Sequence, residues 1–132
     1  GSLREDIAPK DLVVVDQFID KTAKRQSTFF KGFGAVHCEF SHPCCDRLRQ
    51  LILKASKKVR AKTHRAGTYV CMEGPQFSTR AESLMHQSWG ADLIGMTAMP
   101  EAKLAREAQI CYGLIALASI NPASTSRHFS QK

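Results

Sequence analysis

Two segments of this sequence lie where an apolar run ends and a helical pattern begins. The first covers residues 73–82 (EGPQFSTRAE) and the second covers residues 95–101 (GMTAMPE). In an open α/β sheet such junctions lie at the carboxyl ends of strands, where ligands bind against helix N-termini. The two junctions are about twenty residues apart, which fits one strand–helix–strand unit with both loops at a shared crevice. The sequence therefore predicts an α/β fold with a site between these loops.

Apolar runs and helical periodicity extend this unit into a longer alternation of strands and helices. The apolar runs predict strands over residues 12–15, 68–72, 93–96 and 112–118. The helical patterns predict helices over 46–59, from 79 through 89, and over 100–108. Residues 18–20 continue the exit from the first strand, and residues 21–34 are predicted to be a covering loop. This order predicts an α/β sheet with helices on its faces.

Signals at the helix ends indicate where two of these helices begin and where one ends. Asp46, which follows Pro43, is the predicted N-cap of the first helix. The apolar residues of that helix recur at helical spacing and predict one stripe: Leu48, Leu51, Ile52, Ala55 and Val59. Thr79 and Glu82 have the spacing of a capping box, and Gly90 is the predicted C′ residue of the second helix.

The net charge of +7 is concentrated in one segment. Residues 47–65 include eight basic residues and no acidic ones, whereas the rest of the chain has eleven basic and twelve acidic residues. Such a cationic face is usually solvated, or it meets an acidic face of a partner subunit. No Phe, Tyr or Trp lies among these charges to stack on bases, which weakens the case for binding of single-stranded nucleic acid.

Cysteine usage predicts a cytosolic protein without a metal. There are five cysteines, an odd number with no CxxC pair, which predicts reduced thiols: Cys38, Cys44, Cys45, Cys71 and Cys111. A zinc site built from Cys38, His42, Cys44 and Cys45 is the alternative, but such closely spaced ligands fit tetrahedral zinc poorly. No apolar run approaches the roughly 18 residues of a membrane span, and no secretion leader is evident.

Side chains at the two junctions indicate a site that handles phosphate. Ser78 and Thr79 lie at the start of one predicted helix and Thr97 precedes another, where hydroxyls either bind an anion or cap the helix. Thr79 is interpreted mainly as a cap, and Thr97 as the hydroxyl freer to serve a ligand. Phe77 either stacks on a planar ligand or packs on the domain. Glu73 is either a base or one side of a salt bridge within the loop.

Together these segments resemble the trimeric purine nucleoside phosphorylase family, and within it the methylthioadenosine phosphorylases. The resemblance rests on E-G-P-x-F-S-T-R-A-E at 73–82 and W-G-A-D-L-I-G-M-T-x-x-P-E at 89–101, with further matches at 1–5 and 16–20. The nucleoside phosphorylases proper have Glu where this chain has Ser78. The resemblance runs from residue 1 to about 118 and implies a nucleoside-phosphorylase-like mixed central sheet flanked by helices, incomplete in this chain.

The resemblance implies an enzyme that cleaves the N-glycosidic bond of 5′-methylthioadenosine with inorganic phosphate. The products would be adenine and 5-methylthioribose 1-phosphate, a step of purine and methionine salvage. The resemblance implies no metal or organic cofactor, and inorganic phosphate is a co-substrate. The resemblance further implies a homotrimer in the cytoplasm, with the nucleus as an alternative compartment.

The resemblance also implies roles for individual residues. Phe77 would stack on the purine, and Ser78 would mark a preference for the 6-aminopurine, methylthio class. Met96 would contact the ribose, and Thr97 would hold phosphate. His37, by itself an ordinary polar loop residue, would reach the 5′ end of a ligand in a neighbouring subunit.

The chain departs from the family pattern at both ends. Family members begin earlier, with a glycine-rich phosphate loop and an Arg-His pair, and their last strand runs into a Thr-Asp-Tyr-Asp segment that binds and protonates the purine. Here residues 119–122 read SINP, and no aspartate follows Asp92. We therefore expect residues 1–118 to be the central part of one domain and 119–132 an unrelated, disordered tail. We also expect no catalytic residue and no useful activity in the isolated chain.

Three other functions stay open at this point. The first is a non-catalytic relative that binds purine nucleosides or joins full-length subunits. A purine nucleoside phosphorylase of broader specificity is the second alternative. The third is a nucleic-acid-binding domain on the basic face at 47–65, whose affinity would fall steeply with salt.

Overall fold

The computed structural model describes residues 1–119, which contain six strands and three helices. In chain order these are β1 (Leu12–Val14), β2 (Gln17–Lys21), α1 (Asp46–Ser56), β3 (Thr63–His64), β4 (Thr68–Met72), α2 (Arg80–Ser88), β5 (Leu93–Gly95), α3 (Glu101–Glu107) and β6 (Ile115–Leu117). The predicted strand over 68–72 and all three predicted helices are present. Residues 120–132 lie outside the described residues, so the division at residues 118 and 119 stays a prediction.

The strands form two small sheets. One has the order β3-β1-β6, with β3 parallel and β6 antiparallel to β1, and the other is parallel with the order β2-β4-β5. The chain passes from one sheet to the other at Val15 and Asp16, whose N–H groups donate to the carbonyl oxygens of Leu114 and Gly67. The predicted α/β class with mixed strand directions is confirmed, and its division into two sheets is a new finding.

Strand β2 differs from the prediction that residues 18–20 continue the exit from the first strand. Residues 17–21 pair in parallel with β4 along its whole length, from Gln17 opposite Thr68 to Lys21 opposite Met72. The Phe18 ring also meets the Tyr69 ring edge-on, with centroids 6.1 Å apart. Because β2 contains polar residues, its sequence lacks the continuous apolar run that predicts a buried strand. Pairing with β4 stabilises it as a strand.

Strand β4 is buried on both faces, as expected of a central parallel strand. Tyr69 and Cys71 point into one apolar cluster with Ile7, whereas Val70 points into a second cluster with Leu3. Successive side chains of a strand alternate between faces. This burial holds the carboxyl end of β4, and therefore the loop that follows it, in a defined place.

The start of α1 and its apolar stripe differ from the prediction. The N-cap is Cys45 rather than Asp46, which lies in the first turn and pairs with Arg49. Leu53 is the buried residue of this helix. Two members of the predicted stripe, Leu51 and Val59, are 54% and 53% exposed. The helix ends at Ser56, so residue 59 lies beyond it. The predicted stripe therefore omitted the buried Leu53 and included three exposed residues, Leu51, Ala55 and Val59.

Helix α2 begins and ends as predicted. Thr79 Oγ1 accepts from the Glu82 N–H at 3.2 Å, and the Thr79 N–H donates to Glu82 Oε2 at 2.7 Å. These two bonds form the predicted capping box. Gly90 has a φ of +82°, which fits the predicted C′ position.

The prediction that all cysteines are reduced is wrong for one pair. Cys45 and Cys111 form a disulfide with their Cα atoms 5.3 Å apart. Folding brings these distant residues together because the Cys45 N–H donates to the Tyr112 carbonyl oxygen at 2.7 Å. Cys38, Cys44 and Cys71 are free. Burial raises the pKa of Cys44 to about 11, so this thiol stays protonated at neutral pH.

Two further structural observations concern metals and membranes. Within residues 1–119, no group of three or more His, Cys, Asp or Glu side chains is placed to hold a metal ion. None of the three helices described here has the length and apolar character needed to cross a membrane.

Candidate functional site

A cleft of about 1380 Å³ opens beyond the carboxyl ends of β4 and β5. It is lined by residues of the first loop (residues 73–79, after β4), the second loop (residues 96–100, after β5), β5 itself and one face of α2. Strand β6 with its flanking residues and the N-terminal segment (residues 1–5) also contribute to the lining. Ligand pockets usually have volumes of about 300–1,000 Å³, so this cleft exceeds what one small ligand fills.

Four of the five predicted binding residues line this cleft: Phe77, Ser78, Met96 and Thr97. The fifth, His37, is exposed in the long segment between β2 and α1 and does not line it. The convergence of the two loops, predicted from their positions after neighbouring strands, is therefore present. The individual ligand roles stay predictions.

Phe77 and Ser78 lie at the mouth of the cleft. The Phe77 side chain is 77% exposed, so it does not pack into the domain. Ser78 is half-buried, and its Oγ donates a weak hydrogen bond to Met72 Sδ at 3.4 Å. An exposed aromatic ring beside a hydroxyl can stack on a planar ligand and hydrogen-bond its edge.

Thr97 contacts Tyr69, a cleft residue that is not among those predicted from the sequence. Tyr69 Oη is 3.5 Å from both the Thr97 Oγ1 and the Thr97 backbone N. Gly95 allows this approach, because a Cβ there would overlap the Tyr69 hydroxyl. The position of Tyr69 in a buried strand gave no local signal that its hydroxyl reaches a loop beyond the strand end.

The charged side chains that line the cleft, within the described residues, are Arg80 and Glu5. Arg80 is the first residue of α2, where the helix dipole also favours an anion, although the capping box already uses the N–H groups of Thr79 and Glu82. Arg80 is not among the binding residues predicted from the sequence, although a basic residue at the start of a helix beside a predicted phosphate site is a usable signal.

Glu73 forms a salt bridge at the base of the first loop. Its Oε2 accepts from the backbone N–H groups of Ala23 and Lys24, and its Oε1 accepts from Arg25 Nε at 3.4 Å. The Ala23 N–H is the largest cause that lowers the pKa of the Glu73 carboxyl. Of the two roles left open for Glu73, the structure shows a salt bridge, but its partner Arg25 lies on another segment rather than within the loop.

Comparison with known proteins identifies the family. The sequence matches the model of the phosphorylase superfamily over residues 1–130. This chain belongs to the phosphorylase superfamily. The family resemblance seen in the sequence motifs is thereby confirmed, and so is the phosphorylase-like fold class.

Named relatives of this phosphorylase-superfamily chain match nearly its whole length. It is 54% identical over 117 residues to the S-methyl-5′-thioadenosine phosphorylase of Cereibacter sphaeroides, covering 89% of this chain and 40% of the relative. It is 49% identical over 124 residues to the enzyme of that name from Danio rerio, covering 90% of this chain and 44% of the relative. The chain thus spans less than half the length of these relatives.

A solved structure shares the fold. The methylthioadenosine phosphorylase from Schistosoma mansoni in complex with tubercidin superimposes with a TM-score of 0.90 at 35% identity. The match covers 96% of this chain and 53% of that structure. The fold described here therefore corresponds to about half of that phosphorylase structure.

Proposed function

We propose that this chain serves the phosphorolysis of 5′-methylthioadenosine to adenine and 5-methylthioribose 1-phosphate. The observation that carries the proposal is the convergence of Phe77, Ser78, Met96 and Thr97 on one cleft. The names of relatives about half identical to the chain support the same substrate. The tubercidin complex of the Schistosoma mansoni protein supports a nucleoside as the type of ligand.

In the proposed complex, the purine stacks on the exposed Phe77 ring and its edge faces Ser78. Met96 contacts the ribose, and the Thr97 hydroxyl, with Arg80 nearby, holds phosphate. A phosphate oxygen then attacks the anomeric carbon while the bond to the purine breaks, and the bond electrons move to the purine. Holding phosphate and nucleoside in this alignment is the main contribution of such a site.

The departing purine must be protonated by an acid. The part of the cleft that the structure describes offers no such acid beside Phe77 and Ser78, where the purine would lie. Glu5 is the carboxyl group that lines the cleft within residues 1–119, and the aspartates expected from the family pattern are absent from the sequence. We therefore propose that the 132-residue chain binds nucleoside and phosphate with little turnover. Losing general-acid catalysis typically lowers a rate by about 10²–10⁴-fold.

The proposal extends to assembly and compartment. His37 lies outside its own cleft and is exposed, which supports its proposed reach towards the ligand of a neighbouring subunit in a homotrimer. Phe33, on the same segment, is 87% exposed and is a suitable contact for such a neighbour. We place the reaction in purine and methionine salvage in the cytoplasm, without a metal or organic cofactor.

Calorimetric titration of the purified chain with 5′-methylthioadenosine in phosphate buffer tests the proposal. We expect binding, and Phe77→Ala should weaken it by about 3- to 10-fold because the stacking surface is lost. Leu51→Ala is the control, because it shortens an exposed apolar side chain on α1 that does not line the cleft, and it should bind like the unchanged chain. If a chain shown to be folded by circular dichroism does not bind, or if both variants weaken equally, the proposed site is wrong. Release of adenine would support the function and contradict the low turnover.

A further inference from the structure

The guanidinium of Arg25 donates hydrogen bonds to main-chain carbonyl oxygens at both cleft loops. Its Nη1 donates to the carbonyl oxygen of Met96 at 2.6 Å and to that of Met99. Its Nη2 donates to the carbonyl oxygens of Met72 at 3.3 Å and Glu73 at 3.0 Å. Four carbonyl oxygens therefore converge on one side chain, two from the end of β4 and the first loop and two from the second loop.

Arg25 is itself held by the first loop. Its Nε donates to Glu73 Oε1 at 3.4 Å, and the other Glu73 oxygen accepts from the N–H of Ala23. The Arg25 side chain is 20% exposed, so these bonds are partly shielded from water. Charge-assisted hydrogen bonds in such a place are stronger than neutral ones at the surface.

We propose that Arg25 is a positioning residue that sets the spacing between the purine-binding and phosphate-binding loops. This inference rests on the proposed function for the ligands, because the nucleoside would contact Phe77 on the first loop and Met96 on the second. The affinity of a ligand that contacts both loops depends on the distance between them, whereas the affinity of a ligand that contacts one loop does not. A misplacement of about 1 Å in such a site can lower a rate by 10²-fold.

Arginine suits this role for a geometric reason. Its planar guanidinium has five N–H donors in a fixed fork and can bind several carbonyl oxygens at once. A lysine has one ammonium group with three donors around a single nitrogen, so it retains the charge but cannot bind the same four oxygens. Arg25→Lys therefore separates the geometric role from the effect of charge.

Amide hydrogen exchange of the full 132-residue chain is the primary test. In Arg25→Lys, exchange should become at least about tenfold faster in residues 73–79 and also in residues 96–100. The matched control is Arg49→Lys, since Arg49 is a similarly shielded arginine on α1, where it donates to the Arg65 carbonyl oxygen. That control should leave both loops unchanged. Unchanged exchange in either loop of Arg25→Lys would overturn the proposal.

A second variant keeps the test valid if Arg25→Lys does not fold. Glu73→Gln leaves Arg25 in place but removes the carboxylate that holds it. In the structure the Glu73 carboxylate bonds only to residues 23–25 among its described partners. Faster exchange in residues 96–100 of this variant would therefore show that Arg25 transmits the effect of the substitution to the second loop. No change there would contradict the role of Arg25 as the link.

Ligand titrations then separate this inference from the proposed function. In Arg25→Lys the affinity for 5′-methylthioadenosine, which spans both loops, should fall about tenfold, whereas the affinity for adenine should change less than about threefold. Equal losses for the two ligands, or no loss for either, would overturn the positioning role. If the unchanged chain binds neither ligand, the proposed function fails, and the exchange experiment still decides whether Arg25 couples the loops.

Discussion

Gly74 lies so close to Met96 that a Cβ at residue 74 would be 2.6 Å from Met96 Sδ. Gly74 also has a φ of +72°, in the left-handed region that side chains other than glycine rarely adopt. The first and second loops therefore touch at a point where both the backbone conformation and the available space favour glycine.

Gly74→Ala should destabilise the chain and disturb the cleft. The added methyl group must displace the Met96 side chain while the backbone keeps an unfavourable φ, so we expect a loss of about 2–3 kcal/mol. Urea denaturation measures this loss. Gly90→Ala is the control, because Gly90 has a φ of +82° but no atom within 4 Å of an added Cβ. It should cost about 1 kcal/mol, and an equal cost at both positions would contradict the steric contribution of Met96.

The Glu73 salt bridge predicts a pH dependence of stability. The pKa of Glu73 is lower in the folded chain, chiefly because the Ala23 N–H donates to it. A carboxyl of this kind stabilises the fold above its unfolded pKa of about 4.3, and this stabilisation is lost as the pH falls through the folded pKa. Glu73→Gln should therefore destabilise the chain at pH 7, and the difference from the unchanged chain should shrink below about pH 4. Denaturation curves at pH 7, 5, 4 and 3 would reveal a constant difference if this account were wrong.

The disulfide should contribute strongly to stability. It joins residues 66 apart in sequence, and closing a loop of this length stabilises a fold by about 2–4 kcal/mol. Cys45→Ser with Cys111→Ser should lower the free energy of unfolding by this amount. A thiol titration of the denatured, unreduced chain should count the three free cysteines. A count of five thiols would show that the bond is absent.

Strand β6 predicts self-association. Among the described residues it pairs with β1 on one side only, and its Ile115 and Leu117 are 43% and 63% exposed. Such an edge with exposed apolar side chains favours association with other chains. Leu117→Lys should raise the fraction of monomer in analytical ultracentrifugation. Leu51→Lys removes a similarly exposed leucine from the surface of α1 and should have a smaller effect, so equal effects would exclude the strand edge as the cause.

The local parts of the fold could be predicted because their signals lie close together in sequence. The capping box of Thr79 and Glu82, the terminal Gly90 and the apolar strand over 68–72 all depend on neighbouring residues. Strand β2 and the disulfide could not be predicted in this way. Their partners lie about 50 and 66 residues away along the chain, and only folding brings them together.

For the site, the sequence by itself determined which two loops meet and which residues they present. Each loop follows the carboxyl end of a strand and precedes a helix, so Phe77, Ser78, Met96 and Thr97 lie at the same end of the sheet. The motifs in these loops identify the family. The tertiary structure alone decided what holds those loops. Arg25, Glu73 and Tyr69 act on them through hydrogen bonds between distant segments, and such contacts leave no periodic or local pattern in the sequence.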